Sequence, residues 1–385
     1  MPQLRYRTAG ESHGKALIAL VEGMPAGVTV DVDYINAELR RRQGGYGRGG
    51  RQRIEHDAVE VLSGVRRGKT IASPVVLQIL NKDSRLDEAP PVTRPRPGHA
   101  DLAGSIKWLT TDCRETLERA SARETAARVA AGALSRCLLR EFGIDVFGYV
   151  VSIGTAMSSV SFEEPLDELK RRRDASDVYC PDEAASEQMR EQIRQAKAAG
   201  DTLGGLVEAR VFGSPPGLGS CVHFDEKLDG RLAQAVMSIQ AFKAVEIGLG
   251  RDVASLPGSQ VHDEIGFDPS HRETPALGFT RKSNNAGGLE GGMTNGQPVV
   301  VRGAMKPIST LLQPLASVDL NTKEVTKAAY ERSDVCAVPA ASVIVENVVA
   351  FEIARAFVEK FGGDSITEVR ANYDNFLRTA RRLPL

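Results

Sequence analysis

The stretch 115–142, ETLERASARETAARVAAGALSRCLLREF, decides the fold. It is dense in Ala, Leu, Arg and Glu and holds no proline, which predicts one long helix over 115–142. From Ala126 to Leu134 it carries little but alanine, valine and glycine apart from Arg128. Side chains this small permit close packing, and a helix with almost no polar face belongs inside a protein. The segment therefore reads as an internal helix.

Upstream, short apolar runs at 16–21, 59–62 and 74–80 alternate with turn residues and suit strands, as does 4–8. One helix is predicted in the first hundred residues, capped near Asp33 and ending before Gly44 and Gly45. Downstream, helices are predicted over 182–199, 230–242, 340–361 and 366–382, with strand-like segments such as 204–212 between them. Strands and helices do not alternate regularly, which disfavours a doubly wound parallel sheet and favours a mixed α+β fold. No repeat, low-complexity stretch or linker divides the sequence, so a single domain over 1–385 is expected.

The 385 residues are 42% hydrophobic, ample for a packed core, and 49 Lys plus Arg nearly cancel 50 Asp plus Glu. No overall basic field recommends nucleic acid or an anionic membrane, so any anion must be met by a local cluster. The apolar run 16–21 is too short to span a bilayer, and arginines interrupt 1–7 as a signal peptide, so a cytoplasmic location is expected. The five cysteines (Cys113, Cys137, Cys180, Cys221 and Cys336) are odd in number and include no Cys-x-x-Cys pair, which disfavours disulfides and zinc; no metal site is expected.

Four segments combine glycine, arginine and polar residues where loops or element ends should lie. Gly10-Glu11-Ser12-His13-Gly14 follows a strand-like run; His13 can exchange a proton near neutral pH, although a lone His in such a turn is more often hydrogen-bonded filler. Arg40-Arg41-Arg42-Gln43-Gly44-Gly45-Tyr46-Gly47-Arg48-Gly49-Gly50-Arg51 leaves a helix. Cations at a helix C-terminus explain Arg40 to Arg42 but not Arg48 and Arg51, whose forks suit carboxylate or phosphate. Consecutive helical residues lie about 100° apart, so Arg40, Arg41 and Arg42 cannot all face one ligand.

Arg94-Pro95-Arg96-Pro97-Gly98-His99-Ala100-Asp101 reads as an exposed, stiff loop in which Asp101 could orient the His99 ring. Arg119-Ala120-Ser121-Ala122-Arg123-Glu124-Thr125 offers an anion site at a helix start, or a capping box from Ser121 to Glu124. Arg119 and Arg123, four residues apart, would share a helical face. Further on stand the glycine-asparagine stretch 283–296, Lys306-Pro307-Ile308-Ser309-Thr310 and Glu331-Arg332-Ser333-Asp334. Taken singly, the last pair would usually be a surface ion pair worth roughly 0–1 kcal/mol.

The set, in this order and over nearly the whole chain, resembles the chorismate synthase family. The resemblance implies a lyase that removes phosphate from 5-enolpyruvylshikimate 3-phosphate by 1,4-anti elimination, using reduced FMN (FMNH2) without net redox change. It implies substrate clamps at Arg42, Arg48, Arg51, Arg123 and Arg332. Flavin positions fall at Arg119, Ala120, Ser121, Gln240, Ala241, Gly291, Lys306, Pro307, Ile308, Ser309, Thr310 and again Arg332. His13 would protonate the departing phosphate, His99 would manage the proton state of the reduced flavin, and Asp334 would assist proton removal. Ala120 departs from the family, in which many members carry a serine there.

Family convention also labels Arg42 and Arg48 as NADP contacts. This chain has no Gly-x-Gly-x-x-Gly after a strand, so an external flavin reductase is expected, with NADPH only indirectly the reductant. The family further implies helices sandwiched between antiparallel sheets, in a homotetramer. Two other readings of the residues remain open: a flavin-dependent oxidoreductase of an anionic small molecule, and an RNA-binding protein using the Arg-Gly loop.

Overall fold

Two antiparallel sheets enclose a pair of helices. The computed structural model describes residues 3–50, 55–161, 164–331 and 334–383. The first sheet runs in the order Arg5–Ala9, Ala16–Glu22, Val75–Leu80, Val59–Ser63. Its apolar alternation is that of a half-buried sheet: Leu17, Ala19 and Val21 face inward from one strand and Val75, Leu77 and Ile79 from the next. The second sheet runs Phe242–Ile247, Val299–Met305, Gly205–Phe212, Asp145–Ile153, Ala156–Met157, again antiparallel throughout.

The helix Thr125–Arg140 lies on the first sheet and the helix Val338–Phe361 on the second, and the two helices pack on each other. This is the expected α+β sandwich. Its inner contact depends on small residues, as the sequence predicted. A Cβ on Gly132 would sit 2.2 Å from the backbone oxygen of Asn347. Gly132→Ala should therefore destabilise the protein by about 1–3 kcal/mol through overpacking, although alanine is the better helix former by roughly 1 kcal/mol. Thermal midpoints at fixed protein concentration decide the sign, and a raised midpoint would show that the helices can separate at no cost.

Charge is buried in the same layer. Glu346, on the long helix, receives Arg41 and Arg136 at 2.9 Å and Arg173 at 3.4 Å. Glu38 accepts from Arg41 at 2.7 Å, Arg136 at 3.0 Å and Asn347 at 2.9 Å. Burial pushes the Glu346 carboxyl up, but the three guanidinium groups outweigh it and hold the group at about 2.

Several local expectations are corrected. The predicted long helix over 115–142 is two helices, Arg114–Ala120 and Thr125–Arg140, joined by a 3-10 turn at Ala122–Glu124. At the break Ser121 is extended, with φ −64° and ψ 143°, and its hydroxyl accepts from the Arg123 N–H at 3.2 Å. That local bond competes with the helical ladder. No Ser121–Glu124 capping box forms, because the Glu124 carboxylate instead accepts from Thr8 at 2.6 Å and Arg128 at 2.9 Å.

The first helix, Val32–Gln43, is capped by Asp31, which accepts from the Tyr34 N–H, and not by Asp33. The helix predicted over 230–242 spans Leu228–Met237; Ala241 turns with φ +71° and Phe242 opens the edge strand. The loop at 94–101 is not fully exposed: Arg96 is buried, and Asp101 is buried as the first residue of the unpredicted helix Asp101–Trp108. Leu166–Ala175 is likewise a helix that the sequence reading omitted.

Candidate active site

A cavity of about 810 Å³ opens at the seam between the two sheets. The turn after the first strand, the break at Ser121, the loop before the second sheet's edge strand and the loop after Met305 all reach it, and Ile344 of the long helix lines it.

Its first cluster is cationic. Of the arginine triple, Arg40 is exposed, Arg41 turns into the buried ion network and Arg42 points to the cavity. Arg42 Nε donates to Thr125 Oγ1 at 3.2 Å. Arg48 Nη1 meets Asp334 at 2.8 Å, and the Gly49 N–H donates to the same carboxylate at 2.6 Å. Arg123 donates from Nη1 to both oxygens of Asp57 at 2.7 Å and from Nε to Asn81 at 2.9 Å. The helix break separates Arg123 from Arg119, which is exposed and donates to the backbone oxygens of Gly10 and Thr8.

Among the described residues, buried N–H groups remain here without a hydrogen-bond acceptor: Arg42 Nη1, Arg48 Nε and Arg123 Nη2. Burial pulls the Arg42 guanidinium down to about 10; Asp57 opposes the fall, while Arg123 and Arg48 deepen it. An anionic ligand would supply the missing acceptors and relieve the mutual repulsion of the three cations.

The second cluster is acid–base. His13 Nδ1 lies 2.9 Å from Glu118 Oε1, and Nε2 stands 3.8 Å from Asp83. His99 Nδ1 is hydrogen-bonded to Asp101 Oδ1. Asp101 also accepts from the Arg96 N–H at 3.0 Å and from Arg96 Nε at 2.8 Å. Burial favours the neutral acid at Asp101, but the hydrogen bonds from His99 and Arg96 prevail and hold it far below the carboxylate range.

The third cluster lies along the opposite wall. Lys306 Nζ donates to Ser309 at 3.0 Å, and burial together with neighbouring Lys243 pushes its ammonium below the ordinary lysine value. Among the described residues Gln240 Oε1 is buried without a partner, while its amide donates to Glu124 at 3.2 Å. Thr310 Oγ1 accepts from Arg96 Nη1 at 3.2 Å, which ties this wall to the His99 loop. Polar groups with spare capacity, facing a pocket of this size, fit a second polar and partly anionic ligand beside the first.

The structure thus brings together around one cavity His13, His99, Asp334, Arg42, Arg48, Arg123, Ala120, Ser121, Gln240, Ala241, Lys306, Ile308, Ser309 and Thr310. Arg119, Gly291 and Pro307 are not among its lining residues, and Gly291 is exposed at the turn of the hairpin Leu289–Glu290 and Met293–Thr294. Arg51 and Arg332 lie outside the described residues. Sequence reasoning missed Glu118, Asp57, Asn81 and Lys243 and gave Arg96 no role. Only Arg96, inside a quoted motif, carried a local signal.

A family model described as chorismate synthase matches residues 4–358. The chain belongs to the chorismate synthase family. It is 55% identical to a chorismate synthase from Desulforamulus reducens, over 99% of this chain and 100% of the relative. It is 57% identical to one from Desulforudis audaxviator, over 98% of both. A crystal structure of a chorismate synthase superposes with a TM-score of 0.81 at 42% identity, covering 99% of each chain. Chorismate synthase is a lyase acting on a small molecule, and the cavity is large enough to take one. No helix among the described residues is long and apolar enough to cross a membrane.

Proposed function

We propose that this chain eliminates phosphate in 1,4-anti fashion from 5-enolpyruvylshikimate 3-phosphate, giving chorismate, with reduced FMN as the cofactor. The observation that supports this reading is the trio of buried N–H groups on Arg42, Arg48 and Arg123 around one cavity that find no acceptor among the described residues. The substrate's phosphate and two carboxylates are the acceptors they lack. Arg51 and Arg332 belong to the same proposed clamp.

When bound, reduced FMN supplies the transient electron density that weakens the C–O bond to phosphate. Ala120, Ser121, Gln240, Ala241 and the loop Lys306, Pro307, Ile308, Ser309, Thr310 would hold it, Lys306 offering its ammonium to an anionic group. Arg119 and Gly291 stand off the cavity and fit this reading only by acting across a subunit contact of the proposed homotetramer. His13 would give a proton from Nε2 to the departing phosphate. His99 would hold its proton through Nδ1 on Asp101. Asp334, fixed by Arg48 and the Gly49 N–H, would assist proton removal. Closing the pocket around these groups excludes water and oxygen.

The reading includes one domain over 1–385, supported by an apolar core that runs from Leu4 to Leu377 through both sheets, an external flavin reductase drawing on NADPH, and a cytoplasmic setting. The test is anaerobic turnover with a trace of reduced FMN and excess substrate. Many chorismate molecules per flavin are expected. One product per flavin would mean a stoichiometric reductant and would replace the lyase with an oxidoreductase.

A further inference from the structure

We propose that Glu118 is the positioning residue that seats His13, fixing both the ring's orientation and its tautomer. The inference rests on the reading of His13 as a proton-transfer group.

Glu118 is buried on the short helix just before the break, and it takes hold of His13 at more than one point. Its oxygens lie 2.9 and 3.0 Å from His13 Nδ1, and Oε2 accepts from the His13 backbone N–H at 2.8 Å. The Glu118 backbone oxygen accepts from the Ser12 N–H at 3.0 Å. The turn that carries His13 is therefore docked on one residue by both backbone and side chain.

The chemistry of the contact selects a tautomer. An ionised carboxylate only accepts hydrogen bonds, so Nδ1 must carry the hydrogen, which leaves Nε2 as the atom that gains or loses a proton toward the cavity. Glu118 is kept ionised: burial opposes its charge, but the hydrogen bonds from His13 prevail and hold the carboxyl below its ordinary range. Arg114 adds its own contribution, donating to Glu118 at 3.4 Å from Nη1 and to Glu331 at 3.1 Å from Nη2. Among the described residues the other charged group facing the ring is Asp83, 3.8 Å from Nε2 and itself paired with Arg85 at 2.9 Å. At that distance Asp83 makes no hydrogen bond that could set the tautomer.

The test uses full-length protein with FMN, labelled with 15N-histidine and with the His13 signals assigned by their loss in His13→Ala. In unmodified protein, when the ring is neutral, the 15N shifts should report hydrogen on Nδ1. Glu118→Gln, whose amide can donate, should move the ring toward the Nε2–H form. It should lower kcat by at least about 10-fold and at most roughly 10,000-fold, with KM and FMN affinity within about two-fold of the parent. An Nε2–H tautomer in the unmodified protein overturns the proposal even if the variant does not fold. So does parental kcat in Glu118→Gln, or a loss of kcat with an unchanged ring signature. Full activity in His13→Ala would instead sink the role given to His13, and the ring measurement would still decide whether Glu118 seats it.

Discussion

A His99→Ala variant is expected to turn over roughly 100- to 10,000-fold more slowly than its parent, with an unchanged thermal midpoint, and His13→Ala is expected to match it. Both rings line the cavity, and each is held through Nδ1 by a buried carboxylate, Asp101 for His99 and Glu118 for His13. The Glu118 contact leaves His13 Nε2 toward the cavity, while the His99 ring is also approached by Arg96 Nη2, 3.1 Å from Nδ1. Neither ring belongs to the apolar core, so truncation should cost activity and leave the fold intact. Anaerobic rates with reduced flavin, beside melting curves, check this. A rate within two-fold of the parent would remove that histidine from the reaction.

The second large effect is on stability. Glu346→Gln should destabilise the protein by about 3–5 kcal/mol at neutral pH, because three buried guanidinium groups lose the carboxylate they share. The pH dependence has a definite sign. The folded value near 2 lies below the reference of 4.5, so the stabilisation is complete above about 4.5 and disappears as pH falls toward 2. The gap between parent and variant should then stay level from neutrality to about pH 5 and narrow below it. Midpoints taken at fixed protein concentration across that range test the point, and a gap that widened in acid would contradict it.

What could be read beforehand was whatever depends on neighbours along the chain. The apolar runs at 16–21 and 74–80 announced two strands of the first sheet, and the poverty of polar residues from Ala126 to Leu134 announced the inner helix. His99 and Asp101 are two residues apart, so their pairing was legible. Composition alone hid the break at Ser121, since every residue around it tolerates a helix; the interruption is settled by contacts such as Ser121 to Ser12 and Glu124 to Thr8. Glu118 could not be matched to His13 because 105 positions separate them, and Asp57 could not be matched to Arg123 across 66. The reaction itself came from the order of the motifs, which resembles one family.

The seam on which the cavity lies has a consequence for how the protein is made. Gly49 meets Asp334 across 285 positions, and Glu38 meets Asn347 across 309. At roughly 5–20 residues per second, translation of a chain this long takes roughly 20–80 s. For most of that time the N-terminal arginines have emerged without the helix and carboxylates that complete their pocket. The pocket is therefore incomplete until the last tenth or so has been synthesised, and its completion waits on one late closing step whose long loops make it slow.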